Sequence, residues 1–299
     1  MQKITIKGYL LLLSLALCWG PSYLFVKFSL EGFHPIALAF YRVSVGTFVL
    51  FFVCKFKSFK MFSYLPKYKS FLFMGISMNA LPFVLINYGE LKVPTGLTAI
   101  ILGMTPIFTA IISHIIVHTE KLNRRTAIGI LVAVTGLLVI YLPTFYDQTL
   151  SNEKGVLFII LAAMGYASGT SFAKKKLEDV PPTVCAFYQG LFASIALLPL
   201  VLLLETPFTS AVYGVPLFTA TCLGVLGTSL AFLVFYESVR ISGATFTSLN
   251  SLLTPVLSIL LGIVVLDETL TLQTVYGAVL IFIGVYGINP YFSKKRSSC

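Results

Sequence analysis

The only tryptophan of the chain, Trp19, stands inside an apolar run and is followed at helical spacing by Tyr23 and Lys27. Steps of four place the three side chains on one helix face. Hydrocarbon offers an indole N–H no partner and makes a lysine costly, so the stripe is expected to face a cavity. The competing arrangement is ordinary helix packing, with Lys27 reaching the surface along its own stem. Tyr166, Thr170 and Lys174 repeat the spacing later in the chain. In the cavity reading Trp19 and Tyr166 are walls, and Lys27 and Lys174 are rim residues that gate two opposite mouths.

Arg42 is an obligatory cation in another apolar run. Its planar fork suits a carboxylate or phosphate of a ligand. Backbone carbonyls or a distant acid such as Glu31 are the other groups able to hold it. Pro106 and Pro255 each fall near the middle of an apolar run, where a missing N–H frees the carbonyls of Leu102 and Ser251 and provides a hinge, a second kind of gating element. Asn79, Asn87, Tyr88, Tyr236, Asn250 and Ser251 put hydrogen-bonding groups at several depths. Singly each serves as interhelical glue, and together some are expected to line a cavity. With Trp19, Tyr41, Tyr166, Tyr188 and Tyr236 they favour a small amphipathic ligand over a bare ion. His114 and His118 share a helix face, but no third ligand stands near them, so no metal site is expected, and no cofactor either. All eleven acids lie at run ends or in loops, with no paired carboxylates, catalytic His–acid pair or nucleotide-binding loop. A membrane enzyme is therefore disfavoured and no catalytic residue is assigned.

These side chains must be positioned by membrane-spanning helices. Of 299 residues 57% are hydrophobic and 11% charged, with a mean hydropathy of +0.93, a composition that a soluble fold cannot cover. The net charge of +10 sits in short clusters between apolar runs, which excludes a nucleic-acid interface and leaves the lipid bilayer and a small molecule as partners. Ten runs are long enough to cross a bilayer, near 8–28, 35–54, 70–89, 94–118, 126–143, 155–174, 183–204, 213–236, 243–266 and 272–290. The polar join 237–242 between the eighth and ninth is very short. The first run continues past any signal-peptide core and is read as a retained anchor. The five cysteines imply no disulfide framework. Lysines and arginines concentrate on the side that holds the N-terminus, which by the positive-inside rule places both termini in the cytoplasm.

The chain also repeats itself. At a constant offset of 147, Gly8, Trp19, Lys27, Pro35, Phe40 and Tyr41 meet Gly155, Tyr166, Lys174, Pro182, Phe187 and Tyr188; Glu90 and Gly96 meet Glu237 and Gly243, while Arg42 meets the uncharged Gln189. "TPIF" at 105–108 recurs as "TPVL" at 254–257, and Glu120, Gly129 and Gly136 recur as Glu268, Gly277 and Gly284. Two copies of about five spans, 1–146 and 147–299, must enter the membrane from opposite sides, giving an inverted repeat. The glycines, seven apart, are expected to bring helices into close contact within or between protomers, and Glu120 and Glu268 to cap helices.

"CWGPSYLFVK", the proline-centred spans and the endings 119–141 and 267–288 resemble the EamA branch of the drug/metabolite transporter superfamily. The resemblance implies an all-α integral membrane fold of ten helices, a central cavity formed by helices 1–4 and 6–9, and helices 5 and 10 set to the side. It implies a carrier of metabolites, often amino acids or related amphipathic compounds moved outward across a bacterial inner membrane, acting as monomer or homodimer.

Overall fold

The computed structural model describes residues 5–93, 95–117, 120, 122–146, 153–205, 212–257 and 272–288. Among them every regular element is helical. His118, Glu268, the inter-repeat loop 147–152, the end of the ninth apolar run and the C-terminal lysines lie outside the described residues.

Helix α1 (Ile6–Trp19) starts where the Thr5 hydroxyl accepts the Gly8 N–H and gives way at Gly20–Pro21 to α2 (Ser22–Ser29). Proline cannot donate one turn back, so one apolar stretch becomes a kinked pair. Helix α3 (Pro35–Phe56) opens with proline at its first position, where the absent N–H costs nothing. The third stretch starts earlier than its apolar run, with a 3₁₀ turn over Met61–Lys67, then α4 (Tyr68–Gly75), a π-helical turn over Ile76–Ala80, and α5 (Leu81–Glu90). Then come α6 (Thr95–Gly103), α7 (Thr105–Ile116) and α8 (Arg124–Tyr146). The second part of the chain runs through α9 (Glu153–Lys176), α10 (Pro182–Leu204) and α11 (Val215–Gly224). A second π turn over Val225–Leu230 leads to α12 (Ala231–Ser242), α13 (Ala244–Ser248), α14 (residues 250–257) and α15 (Leu272–Gly287).

Six of these stretches, Ile6–Ser29, Pro35–Phe56, Met61–Glu90, Glu153–Lys176, Pro182–Leu204 and Val215–Ser242, are long and apolar enough to cross a membrane. Two sequence expectations change here. The polar join 237–242 is helical, and the chain breaks at Gly243, whose φ of +88° an L side chain rarely adopts. The fourth apolar run is two helices, interrupted at Met104.

α3 packs on α10, α5 and α7 pack on α9, α1 lies against α12 and α2 against α11. Their shared core is built from side chains such as Leu38, Phe71, Leu197 and Phe232. Phe48, Leu203 and Phe218 stay exposed on the outside, as a lipid-facing surface requires. α8 and α15 form a separate pair. A Cβ on Gly136 would meet the Gly277 carbonyl, and one on Gly284 would meet the Gly129 carbonyl and Ala133. The glycines seven apart thus let two helices of one chain approach backbone to backbone.

Candidate functional site

A cavity with about 790 Å³ of empty space, its mouth included, lies between α1, α2, α3, α5, α6 and α7 on one side and α9, α12, α13 and α14 on the other. Six residues singled out in the sequence line it: Trp19, Tyr23, Arg42, Tyr166, Asn250 and Ser251. The remaining wall is apolar (Val26, Met78, Phe83, Ile86, Leu102, Phe235) or hydroxylic (Ser22, Thr105, Thr170, Thr247, Ser248, Thr254).

Trp19 is both wall and packing residue. Its indole N–H donates to the Gly227 carbonyl at 2.9 Å, and its ring meets Phe232 edge-on and lies beside Phe235. The acceptor belongs to the second π turn. So the partner that the bilayer cannot offer comes from backbone of the eighth apolar run.

Arg42 is 5% exposed. Its guanidinium lies 3.8 Å from the Phe83 ring centre, and its Nε donates to the Thr228 hydroxyl at 3.4 Å. Glu31 is exposed and is not among its partners. Arg42 closes no ion pair among the described residues, so most of its fork is left for an acceptor. On the facing wall the Asn250 Oδ1 is buried without a donor. An open cationic fork and an orphaned acceptor in one apolar chamber suit a ligand carrying both an acidic group and a donor.

Other singled-out side chains are placed between helices, off the cavity. The Tyr236 hydroxyl donates to Gln189 Oε1, and Gln189 Nε2 donates to Asn79 Oδ1 at 2.6 Å. This fully buried chain ties α12, α10 and the first π turn. Tyr188 stacks on Phe71 and donates to the Met61 carbonyl at 2.9 Å. Tyr88 donates to Glu205 at 3.2 Å, and the Asn87 amide to the Pro35 carbonyl at 2.8 Å.

Of the gating candidates, Lys27 is exposed. Lys174 is buried, pairs with Glu178 at 2.7 Å and reaches the Arg240 carbonyl. Pro106 sits in the first turn of α7, just beyond the Met104 interruption, and the Leu102 carbonyl it was expected to free accepts the Thr105 hydroxyl at 2.5 Å. Pro255 lies within α14. His114 takes a capping role, its Nδ1 accepting the Leu122 N–H at 3.1 Å.

Two carboxylates clamp one part of the chain to the other. Glu120 accepts the Ala244 and Thr245 N–H groups and the Thr245 hydroxyl at the start of α13. Glu205 accepts the Ile36 and Ala37 N–H groups, at 3.0 and 2.8 Å, at the start of α3. Glu120 was expected to cap a helix; that the helix lies over a hundred residues away was not visible in the spacing. Lys7–Glu237 and Lys67–Asp179 are further long-range ion pairs, at 3.0 and 2.6 Å. The Lys67 ammonium holds the Asp179 carboxyl below the usual carboxylate range.

Apolar helices, six of them long enough to cross a membrane, thus surround an aromatic chamber with one unpaired cationic fork, the build of a multi-pass membrane protein. The chain belongs to the EamA-like transporter family, which matches it over residues 6–142 and 153–289. It is 30% identical to a probable amino-acid metabolite efflux pump of Salmonella typhimurium, over 97% of this chain and 96% of that protein. It is 27% identical to an uncharacterized transporter of Archaeoglobus fulgidus, over 90% and 93% of the two chains. A crystal structure 17% identical in sequence superimposes with a TM-score of 0.80 over 98% of this chain and 99% of its own, a likeness of fold.

Proposed function

We propose that this transporter is an alternating-access secondary carrier that exports or exchanges a small amphipathic metabolite, an amino acid or a close relative of one. The observation that carries the reading is the cavity itself. Arg42 offers its fork and Asn250 an unpartnered acceptor inside an otherwise aromatic and apolar wall, which complements a carboxylate, a donor and an apolar body in one molecule. The names of relatives in Salmonella typhimurium and Escherichia coli, both probable amino-acid metabolite efflux pumps, point the same way. In this proposal ten spans form two inverted five-helix repeats, 1–146 and 147–299, with both termini on the cytoplasmic side of a bacterial inner membrane. Trp19, Tyr23, Arg42, Tyr166, Asn250 and Ser251 contact substrate, and Lys27, Lys174, Pro106 and Pro255 belong to the gates. A carrier for an anionic or nucleotide-like metabolite is the second reading. The open fork of Arg42 favours it, although Lys27 is not among the lining residues.

The test is efflux from proteoliposomes preloaded with a panel of labelled amino acids, organic acids and nucleotides, against protein-free vesicles. Expected is saturable efflux of at least one amino acid, lost in Trp19→Ala and Arg42→Gln while both remain folded. Transport of only acids or nucleotides supports the second reading, and no transport above empty vesicles refutes the carrier proposal.

A further inference from the structure

α8 and α15 contribute nothing to the cavity wall, yet a second open space, a groove, runs along the seam between them. It is lined by Arg124, Arg125, Ile128 and Val132 of α8 and by Ile283 and Gly287 of α15. Ile128 and Ile283 are exposed, so the groove looks outward, where a membrane protein meets acyl chains. At Gly287 there is room to spare: a Cβ built there would meet nothing within 4 Å.

All the charge of this groove stands at one end. Arg124 is exposed, and neither it nor Arg125 closes an ion pair among the described residues. Arg125 donates from Nε to the Gly287 carbonyl at 2.6 Å. That bond sets the plane of its fork at the groove mouth and turns the terminal nitrogens to another acceptor. Neither α8 nor α15 contains an acid, and Glu120, the acid that precedes α8 in the chain, is spent on the start of α13. Val132 follows Arg125 by seven residues, about 10 Å further along the helix. Two cations thus stand above about 10 Å of open, apolar groove.

This pattern complements a molecule with an anionic head and a hydrocarbon tail. A second copy of the chain is a poorer occupant. In one membrane it would bring the same arginines to the same depth, like charge against like. We propose that the α8–α15 groove binds an anionic phospholipid. Its phosphate is held by Arg124 and Arg125, and one acyl chain lies over Gly287 toward Val132 and Ile283. The site is separate from the central cavity and does not depend on what the protein carries.

The experiment is native mass spectrometry of the purified full-length protein, released from detergent micelles after titration with phosphatidylglycerol or phosphatidylcholine of matched chains. At about fivefold per arginine, the first phosphatidylglycerol should bind at least about tenfold more tightly than phosphatidylcholine. Arg124→Gln breaks no ion pair, and it should weaken phosphatidylglycerol about fivefold while leaving phosphatidylcholine unchanged. Gly287→Leu, which puts a side chain into the groove, should weaken both lipids. Lys55→Gln, an exposed charge at the end of α3, should alter neither. Equal retention of the two lipids overturns the proposal, and so does full retention in Gly287→Leu. A loss in Lys55→Gln as large as in Arg124→Gln also overturns it, because diffuse surface charge then explains the preference. A dimer in lipid-free micelles that Gly287→Leu converts to a monomer gives the groove to a second copy instead. If Gly287→Leu does not fold, the contrast between Arg124→Gln and Lys55→Gln decides.

Discussion

Glu120→Ala is the perturbation whose cost the structure defines most directly. The Glu120 carboxylate is the acceptor for two backbone N–H groups and one hydroxyl, at 2.5, 2.9 and 2.9 Å, and so joins the segment after α7 to the start of α13. A single side-chain cap is worth about 1 kcal/mol, and a hydrogen bond to a charged group about 1.5–3 kcal/mol. Three such bonds would sum higher. However, Glu120 is only half-buried, and water can take over part of the released donors. The expected loss is therefore about 2 kcal/mol. Glu120→Gln keeps an acceptor oxygen without the charge and should recover about half of it. Chemical unfolding in mixed micelles, followed with a thiol-reactive dye at the buried free thiols Cys54 and Cys185, gives the difference. A loss below about 0.5 kcal/mol, the level of an ordinary surface substitution, would refute the idea that this carboxylate holds the two parts of the chain together.

Tyr236→Phe removes the donor to the buried Gln189 amide and leaves an unsatisfied acceptor, so the same assay should show a loss of about 1–3 kcal/mol. Gly277→Ala places a methyl against the Gly136 carbonyl and Ile140 and should cost about 1–3 kcal/mol through separation of α8 from α15; an unchanged midpoint would mean that the pair does not need close contact. Asp179 has its carboxyl held low by Lys67, so what the pair adds is present at neutral pH and lost as pH falls through the depressed value. Because Asp179 is exposed, Asp179→Asn should change stability by under about 0.5 kcal/mol at neutral pH, a bound that a salt titration can check.

What could be read from the residues was whatever depends on composition and spacing. Apolar runs located most helices, glycines seven apart signalled a close helix contact without naming the α8–α15 pair, and Trp19, Tyr23 and Arg42 are found on the cavity wall while Lys27 of the same stripe is not. What could not be read depends on which partner a polar group finds. Asn79, Tyr88, Tyr188 and Tyr236 needed hydrogen bonds, and spacing alone does not tell a cavity wall from a neighbouring helix; all four found helices. Pro106 announced a lost backbone bond, but not that the chain would break at Met104 and a threonine hydroxyl would cap the freed carbonyl. Glu90 is the helix-end acid its spacing implied, but that both its carboxylate oxygens are buried was not legible, because burial is set by helices distant in sequence.

The two π turns carry the part of the site with no sequence signal. Neither Ile76–Ala80 nor Val225–Leu230 contains proline, yet each widens the backbone where it meets the other part of the chain. The first presents Met78 to the cavity and Asn79 to Gln189. The second turns the Gly227 carbonyl to Trp19 and the Thr228 hydroxyl to Arg42. In a regular α-helix a carbonyl is committed to the residue four ahead, whereas a π turn adds a residue to the ring and re-aims the groups around it. Small residues complete the arrangement: a Cβ on Gly227 would stand 3.0 Å from the Ser22 hydroxyl and 3.4 Å from Arg42 Nη2. Backbone and a hydroxyl thus hold the two side chains that lipid cannot accept, and among the described residues no acid pairs with Arg42 directly. That is why its fork stays open to a ligand.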